Sequence, residues 1–118
     1  MIEIEIMPAR GRESGYMSCR GHAGTAPYGQ DLVCCAVTTL FDALEANLRS
    51  CWDVRVGSRH KPGDLMLTWG KTNRNGSGLN RANQAAGFCS RALKALAEAY
   101  PNAVCVIWKR REPYEYNY

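Results

Sequence analysis

One amphipathic segment does most to limit the folds open to this chain. Between Leu32 and Arg49, apolar residues recur three or four positions apart. That spacing places them on one face of an α-helix, which then consists of Val33, Val37, Leu40, Leu44 and Leu48. A helix with one apolar face must bury that face against another layer, so the rest of the chain has to supply a sheet or further helices.

Other segments have the period of β-strands. The opening MIEIEI alternates apolar and acidic residues, the pattern of a half-buried strand. Turn residues at 10–14 allow 15–20 to return as the second strand of a hairpin. The apolar run 65–69 lies between Pro62-Gly63 and a glycine and predicts a third strand, and 103–108 predicts the last.

A second helix is predicted after the glycine- and asparagine-rich stretch KTNRNGSGLN, which is typical of an exposed loop. This helix begins at Asn80 or Arg81 and ends before Pro101. Its apolar face is predicted to contain Ala85, Cys89, Ala92, Leu93, Leu96 and Tyr100.

The element order β-β-α-β-α-β predicts an α+β two-layer sandwich. In it, a four-stranded, mainly antiparallel sheet carries both helices on one face. A chain of 118 residues is the size of one domain, so we expect a single domain over residues 1–112 and a polar tail over 113–118. The exposed sheet face or its edges would suit a homodimer.

Composition narrows the class of protein. No apolar run is long enough to span a membrane, and the N-terminus lacks the apolar core of a signal peptide, so we expect a cytoplasmic protein. In that compartment the six cysteines are expected to be free thiols, most of them buried and inert. A net charge of +4 is compatible with weak RNA or ribosome contact but does not demonstrate it.

The stretch GHAGTAPYGQDLVCC contains the residues most suited to chemistry. Asp31 is a favoured N-cap, which puts Cys34 in the first helical turn, where unpaired amides and the helix dipole stabilise a thiolate or an oxyanion. His22, twelve positions earlier, is a candidate base for that thiol. Gly21, Gly24 and Gly29 would let the intervening loop approach a substrate or move to admit it.

Two other functions fit some of the same residues. Cys19, His22, Cys34 and Cys35 might be imagined as zinc ligands, although adjacent helical cysteines diverge by about 100°. The basic segments 74–81 and 109–111 would suit a non-catalytic module that contacts RNA phosphates, but no RNA-recognition motif accompanies them. Inert cysteines that only fill space remain the simplest alternative.

The segment GHAGTAPYGQDLVCCAVTTL closely resembles the signature of the ribosomal-processing cysteine protease family, Prp. The family carries Gly-His-Ala, a glycine-containing loop, then Gly-x-Asp-Ile/Val-Val-Cys-Ala-x-x-Ser. The resemblance implies a homodimeric endopeptidase, without a metal or another cofactor, that removes the N-terminal extension of large-subunit ribosomal protein twenty-seven. It implies that Cys34 is the nucleophile and His22 the base, that Asp31 orients the site or only caps the helix, and that the loop from Ala23 to Gln30 gates the substrate.

The chain departs from the family pattern in three places. Thr38 stands where the family has serine, which keeps a hydroxyl but restricts its rotamers. Cys35 replaces an alanine, and the helix is expected to point it away from Cys34. The basic, glycine-rich region 51–80, in which we expect His60 to be an exposed loop residue, differs most from the family and bears on substrate choice.

Overall fold

The computed structural model of the chain describes residues 1–24, 26, 31–73 and 76–110. Within these residues the chain forms five strands and two helices in the order β-β-α-β-β-α-β. The strands are β1 (Ile2–Met7), β2 (Gly15–Arg20), β3 (Val54–Lys61), β4 (Asp64–Lys71) and β5 (Val104–Trp108), and the helices are α1 (Leu32–Arg49) and α2 (Gly78–Ala99). The predicted tail 113–118 lies outside the described residues.

The five strands belong to one sheet with the spatial order β3-β4-β2-β1-β5. Neighbouring strands are antiparallel except for β1 and β5, which are parallel, so the sheet is mixed. The prediction of an α+β fold with two helices is confirmed, whereas the predicted four strands and their order are wrong. The last strand runs parallel to the first because α2 returns the chain along the sheet before β5 begins.

The strand missing from the prediction is β3, whose sequence is VRVGSRHK. Its apolar alternation ends after Val56, because the next two positions of the same face hold Ser58 and His60. Charged and polar residues are common on edge strands, where they discourage pairing with other chains. The strand is fixed by its hairpin with β4, which pairs Val54 with Lys71 at one end and Lys61 with Asp64 at the other.

His60 was predicted to be an exposed loop residue; it is exposed, but the prediction of a loop is wrong. It is a β3 residue whose Nε2 lies 2.7 Å from a carboxylate oxygen of Glu45 on α1. Its ring also meets Phe41 edge to face, with the centroids 5.3 Å apart. Hydrogen bonds from Ser58, Arg49 and His60, together with the charge of His60, lower the pKa of Glu45 below its usual range and outweigh the opposing effect of burial. This polar cluster ties α1 to the sheet edge.

The core lies between the sheet and the helices, which pack against each other. The predicted face of α1 is nearly correct, except that Phe41 is fully buried and Leu40 only partly. In α2, Cys89 and Leu93 are buried as predicted, but Tyr100 is 48% exposed. Ala82 and Ala86 occupy the buried stripe of α2 instead. Trp69 is fully buried because its indole N–H donates to Asn83 of α2, which satisfies the polar atom.

Helix α2 begins at Gly78, earlier than predicted, because a residue distant in sequence caps it. The buried carboxylate of Asp53 accepts a hydrogen bond from the Gly78 amide at 2.8 Å and faces Arg81 at 3.5 Å. A β-carbon on Gly76 or Gly78 would collide with this carboxylate. The glycines of the predicted loop therefore make room for Asp53. Neither helix in the described part of the chain is long and apolar enough to cross a membrane.

Candidate active site at the start of helix α1

Asp31 forms the N-cap of α1, as the sequence predicts. Its backbone is extended, and its side-chain Oδ1 accepts hydrogen bonds from the amides of Val33 and Cys34, each at 3.0 Å. Its main-chain carbonyl accepts the Cys35 amide at 3.0 Å. Asp31 is 8% exposed, so the cap is part of the packed structure. This cap determines where the first turn of α1, and with it Cys34, lies.

The cap changes one expectation about the site. The amides of Val33 and Cys34 were expected to stabilise a thiolate or an oxyanion, but both are already donated to Asp31. A carboxylate in this position also offsets part of the positive end of the helix dipole. The structure therefore corrects the prediction: these two helix-start amides are not open to a substrate in this arrangement.

The thiol of Cys34 has a different donor. Its Sγ accepts a hydrogen bond from the backbone amide of Ala23 at 3.3 Å. Cys34 is partly buried at the border of the core, as the helical spacing predicts, whereas Cys35 is exposed. This hydrogen bond fixes the sulfur relative to the segment that carries His22. The residue that follows His22 is thus held directly on Cys34.

His22 and Cys34 line one open cleft of about 510 Å³. His22 follows the end of β2 and is exposed. Its ring lies against the β3–β4 turn. Small and hydroxyl side chains form most of the remaining wall. The lining residues are His22, Gly24, Ala26, Asp31, Cys34, Cys35, Thr38 and Thr39. Such a cleft leaves room for the side chains of an extended peptide.

The predicted loop residues divide into two groups. Gly24 lines the cleft, while Gly21 and Ala23 lie beside it and support it. Gly21 has a φ of +97° and packs so closely on the carbonyl of Met1 that a β-carbon would collide with it. Ala23 is buried, and its amide donates a hydrogen bond to the Cys34 sulfur. Gly29 lies outside the described residues.

Thr38 does not contact the thiol through its hydroxyl. That hydroxyl donates to the Cys34 carbonyl at 2.9 Å, and Thr39 donates in the same way to the Cys35 carbonyl at 2.8 Å. Hydroxyls bonded to the preceding turn are satisfied by their own helix. With their hydroxyls bonded to the helix, Thr38 and Thr39 offer the cleft mainly their methyl groups. This wall of the cleft therefore favours apolar groups of a substrate.

The proposed zinc ligands do not converge. Among the described residues, the side chains close enough to share an ion are those of Asp42, Glu45 and His60, at the α1–β3 contact. Burial, and then the charge of Cys89, raises the pKa of Cys19 to about 12, and burial raises the pKa of Cys89 to about 11. These two thiols stay protonated at neutral pH and behave as small apolar core residues.

The basic segments are partly neutralised by the fold. Arg81 contacts Asp53 and donates to the Ser77 hydroxyl, and Lys109 lies 3.3 Å from a carboxylate oxygen of Glu5. The hydrogen bond and charge of Glu5 raise the pKa of Lys109. Residues 74 and 111 of these segments lie outside the described part of the chain. The described cations therefore give little support to an RNA-binding surface.

One site residue was missed in the sequence. Gly63, in the β3–β4 turn, has a φ of +71° and touches the His22 ring. The Pro62-Gly63 pair marks the turn in the sequence, but no local signal shows that this turn reaches a histidine some forty positions earlier in the chain. The register between β2 and β4, which pairs Arg20 with Asp64, brings the two together.

Several solved structures share this fold. An essential ribosomal processing protease Prp from S. aureus, crystallised with a covalently linked product peptide, matches with a TM-score of 0.71 and 17% identity over 92% of this chain and 100% of that one. The same protease with a substrate peptide gives a TM-score of 0.68 and 15% identity, with the same coverage of both chains. SMU.848 from Streptococcus mutans gives 0.66 and 24%, over 94% of this chain and 96% of that one.

Sequence comparison identifies the family. No curated protein matches the chain. The family described as cysteine protease Prp matches residues 1–105, which include both helices, the first four strands, the start of β5 and the whole candidate site. The chain belongs to the cysteine protease Prp family.

Proposed function

We propose that this protein is a cysteine endopeptidase that removes the N-terminal extension of a large-subunit ribosomal protein of the ribosomal protein twenty-seven type. Family membership supports the class of enzyme. The S. aureus relative, a ribosomal processing protease with a covalently linked product peptide, supports the class of substrate. Ribosome maturation would place the enzyme in the cytoplasm, with the precursor as its partner.

The observation that carries the proposal is the setting of Cys34. Its sulfur lies in the first turn of α1, opens onto the cleft that His22 also lines, and accepts the Ala23 amide. A nucleophilic cysteine needs access to substrate, a nearby base and groups that stabilise its anion. Of the thiols in the described residues, Cys19 and Cys89 are buried with raised pKa values and lack the access.

The reaction we propose has two halves. His22 takes the proton of the Cys34 thiol, the sulfur attacks the scissile carbonyl carbon, and the carbonyl oxygen becomes an oxyanion. Collapse breaks the C–N bond as His22 protonates the leaving amine, which leaves the extension as a thioester on Cys34. Water then attacks the thioester with His22 as base, which releases the extension as a carboxylate and restores the thiol.

Asp31 and Thr38 have supporting roles in this scheme. Asp31 holds the first turn through the Val33 and Cys34 amides, and Thr38 holds the Cys34 carbonyl. Both act on the backbone that carries the nucleophile and neither hydrogen-bonds to the sulfur. We assign them as residues that position Cys34, and we assign Ala23 as the backbone donor that holds its sulfur.

The proposal is tested with a synthetic peptide that spans the junction of the ribosomal protein twenty-seven precursor. Purified protein should cut it once, and intact mass should identify the bond. Cys34→Ala should lower the rate on the order of a thousandfold or more, because no other group replaces the nucleophile. Cys105→Ala, which removes an exposed thiol outside the cleft, is the matched control and should cleave normally. Equal cleavage by the two variants would contradict the assignment of Cys34.

A further inference from the structure

The turn between β3 and β4 reaches the candidate active site from the sheet. Pro62 and Gly63 connect the two strands, and the Gly63 carbonyl accepts the amide of Gly21 at 2.9 Å. This hydrogen bond ties the turn to the residue that precedes His22. A hairpin that contributes no reacting group is therefore fixed to the segment that carries the proposed base.

Gly63 also meets the imidazole itself. A β-carbon placed on Gly63 would lie 2.7 Å from Nε2 of His22 and 3.1 Å from Cε1. The first distance is shorter than atoms in van der Waals contact allow, so any side chain at this position would displace the ring. The φ of +71° at Gly63 is a second reason for glycine here.

The backbone of His22 is held on both sides. On one side, the Gly21 amide donates a hydrogen bond to the Gly63 carbonyl, and Gly21 packs on the Met1 carbonyl. On the other side, Ala23 is buried and its amide donates a hydrogen bond to the Cys34 sulfur. With its neighbours fixed, His22 moves mainly through its own side-chain rotations. Contact with the turn limits those rotations, which matters because proton transfer requires the ring within hydrogen-bond reach of the thiol.

The turn has its own anchor. Arg59 on β3 donates to the Asp64 carboxylate at 3.0 Å across the hairpin. Gly63 and Leu65 line a small cavity together with Cys34 and Thr38, so the turn borders the nucleophile as well as the base. The same turn therefore contacts His22 and borders a cavity that Cys34 also lines.

We propose that Gly63 is a positioning residue that sets the orientation of the His22 imidazole toward Cys34. The turn acts through the imidazole, so its contribution should fall on kcat rather than on peptide binding. The inference rests on the proposed function for its effect on catalysis, while the contact between turn and ring is testable without any substrate.

The variant Gly63→Ala tests the inference, with Gly11→Ala as matched control. Gly11 also has a positive φ, 58°, and lies in the turn between β1 and β2, away from the cleft. Both variants carry the same backbone strain, but only Gly63→Ala pushes on His22. The chain has two histidines, so His60 is an internal reference when the imidazole Cε1–H signals are titrated by NMR.

We expect Gly63→Ala to change the His22 chemical shift and titration midpoint and to leave His60 unchanged. We expect kcat for the precursor peptide to fall roughly 10- to 100-fold with KM nearly constant, since misplacement of a catalytic group has effects of that size. Gly11→Ala should show neither change. If Gly63→Ala matches Gly11→Ala in both the His22 titration and kcat, the inference is wrong.

A second variant and a test of the unaltered protein distinguish misfolding of Gly63→Ala from a wrong substrate and from a wrong inference. If Gly63→Ala does not fold, Gly63→Asn brings the same β-carbon against His22 with less strain, because asparagine adopts a positive φ more readily. If the unaltered protein cleaves no precursor peptide, the proposed substrate is wrong. The His22 titration still decides the contact in that case, and an unchanged His22 signal in a folded Gly63 variant overturns it.

Discussion

At the start of α1, three backbone amides are divided between a carboxylate and a thiol. Asp31 accepts the amides of Val33 and Cys34, and the Cys34 sulfur accepts that of Ala23. The two acceptors have different consequences, because the first stabilises the helix and the second fixes the position of the sulfur relative to the loop. The site therefore relies on the loop before the helix as much as on the helix dipole.

Substitutions at Asp31 separate capping from a need for charge. Asp31→Ala leaves two amides without their partner, so we expect a loss of about 1 kcal/mol in unfolding free energy and slower cleavage as the first turn frays. Asp31→Asn keeps a side-chain oxygen that can accept both amides, so we expect stability and kcat close to those of the unaltered protein. Urea unfolding and peptide cleavage measure the two effects. A folded but inactive Asp31→Asn would show that the negative charge itself is required.

At the scale of elements, the contact between α1 and the edge strand β3 is polar and depends on pH. Glu45 contacts Arg49 at 2.9 Å and His60 at 2.7 Å, and the Arg49 side chain also donates to Ser58. An edge strand with few apolar residues has little else to hold it, since only Val54 of β3 is buried. Side-chain hydrogen bonds here do what apolar packing does in the central strands.

The lowered pKa of Glu45 predicts an acid-sensitive contribution to stability. Because the pKa is lower in the folded than in the unfolded state, the contribution is present above the unfolded pKa of about 4.3 and is lost as pH falls through the folded pKa. Glu45→Gln should cost about 0.5–1 kcal/mol at neutral pH and make unfolding free energy less dependent on pH below 5. Glu98→Gln, on the exposed end of α2, is the control. Parallel pH profiles for Glu45→Gln and the unaltered protein would contradict this prediction.

At the scale of the whole molecule, one edge of the sheet is apolar and the other polar. Ile107 and Trp108 of the edge strand β5 are 49% and 39% exposed. The opposite edge, β3, carries arginine, histidine and lysine. Exposed apolar residues on a free strand edge are a common basis for association between copies of a chain, whereas charged edges discourage it.

We therefore expect the homodimer that the family resemblance implies to form through the β5 edge. Light scattering coupled to size exclusion should give a mass about twice the 13.1 kDa of the chain. Ile107→Lys should shift the protein to monomer by placing a charge on that edge. Phe88→Lys, which replaces an apolar residue that is 70% exposed on α2, should remain dimeric. A monomer at all concentrations would disprove the dimer, and a dimeric Ile107→Lys would locate the interface elsewhere.

The sequence by itself determined the features that depend on neighbours along the chain. The period of α1, the alternation of β1, the Asp31 cap and the place of Cys34 in the first turn all follow from spacings of a few residues, and the structure has each of them. The different burial of Cys34 and Cys35 also follows, because the angle between adjacent helical side chains is fixed by helix geometry.

Only the tertiary structure decided the features that depend on distant partners. Ser58 and His60, which are polar and exposed, interrupt the apolar alternation of β3, so periodicity does not predict this strand and pairing with β4 forms it. Asp53 extends α2 to Gly78 across 25 positions of sequence, and strand register brings Gly63 to His22. Such contacts form because a folded sheet and its helices hold separate segments within bonding distance, and no local spacing encodes that distance.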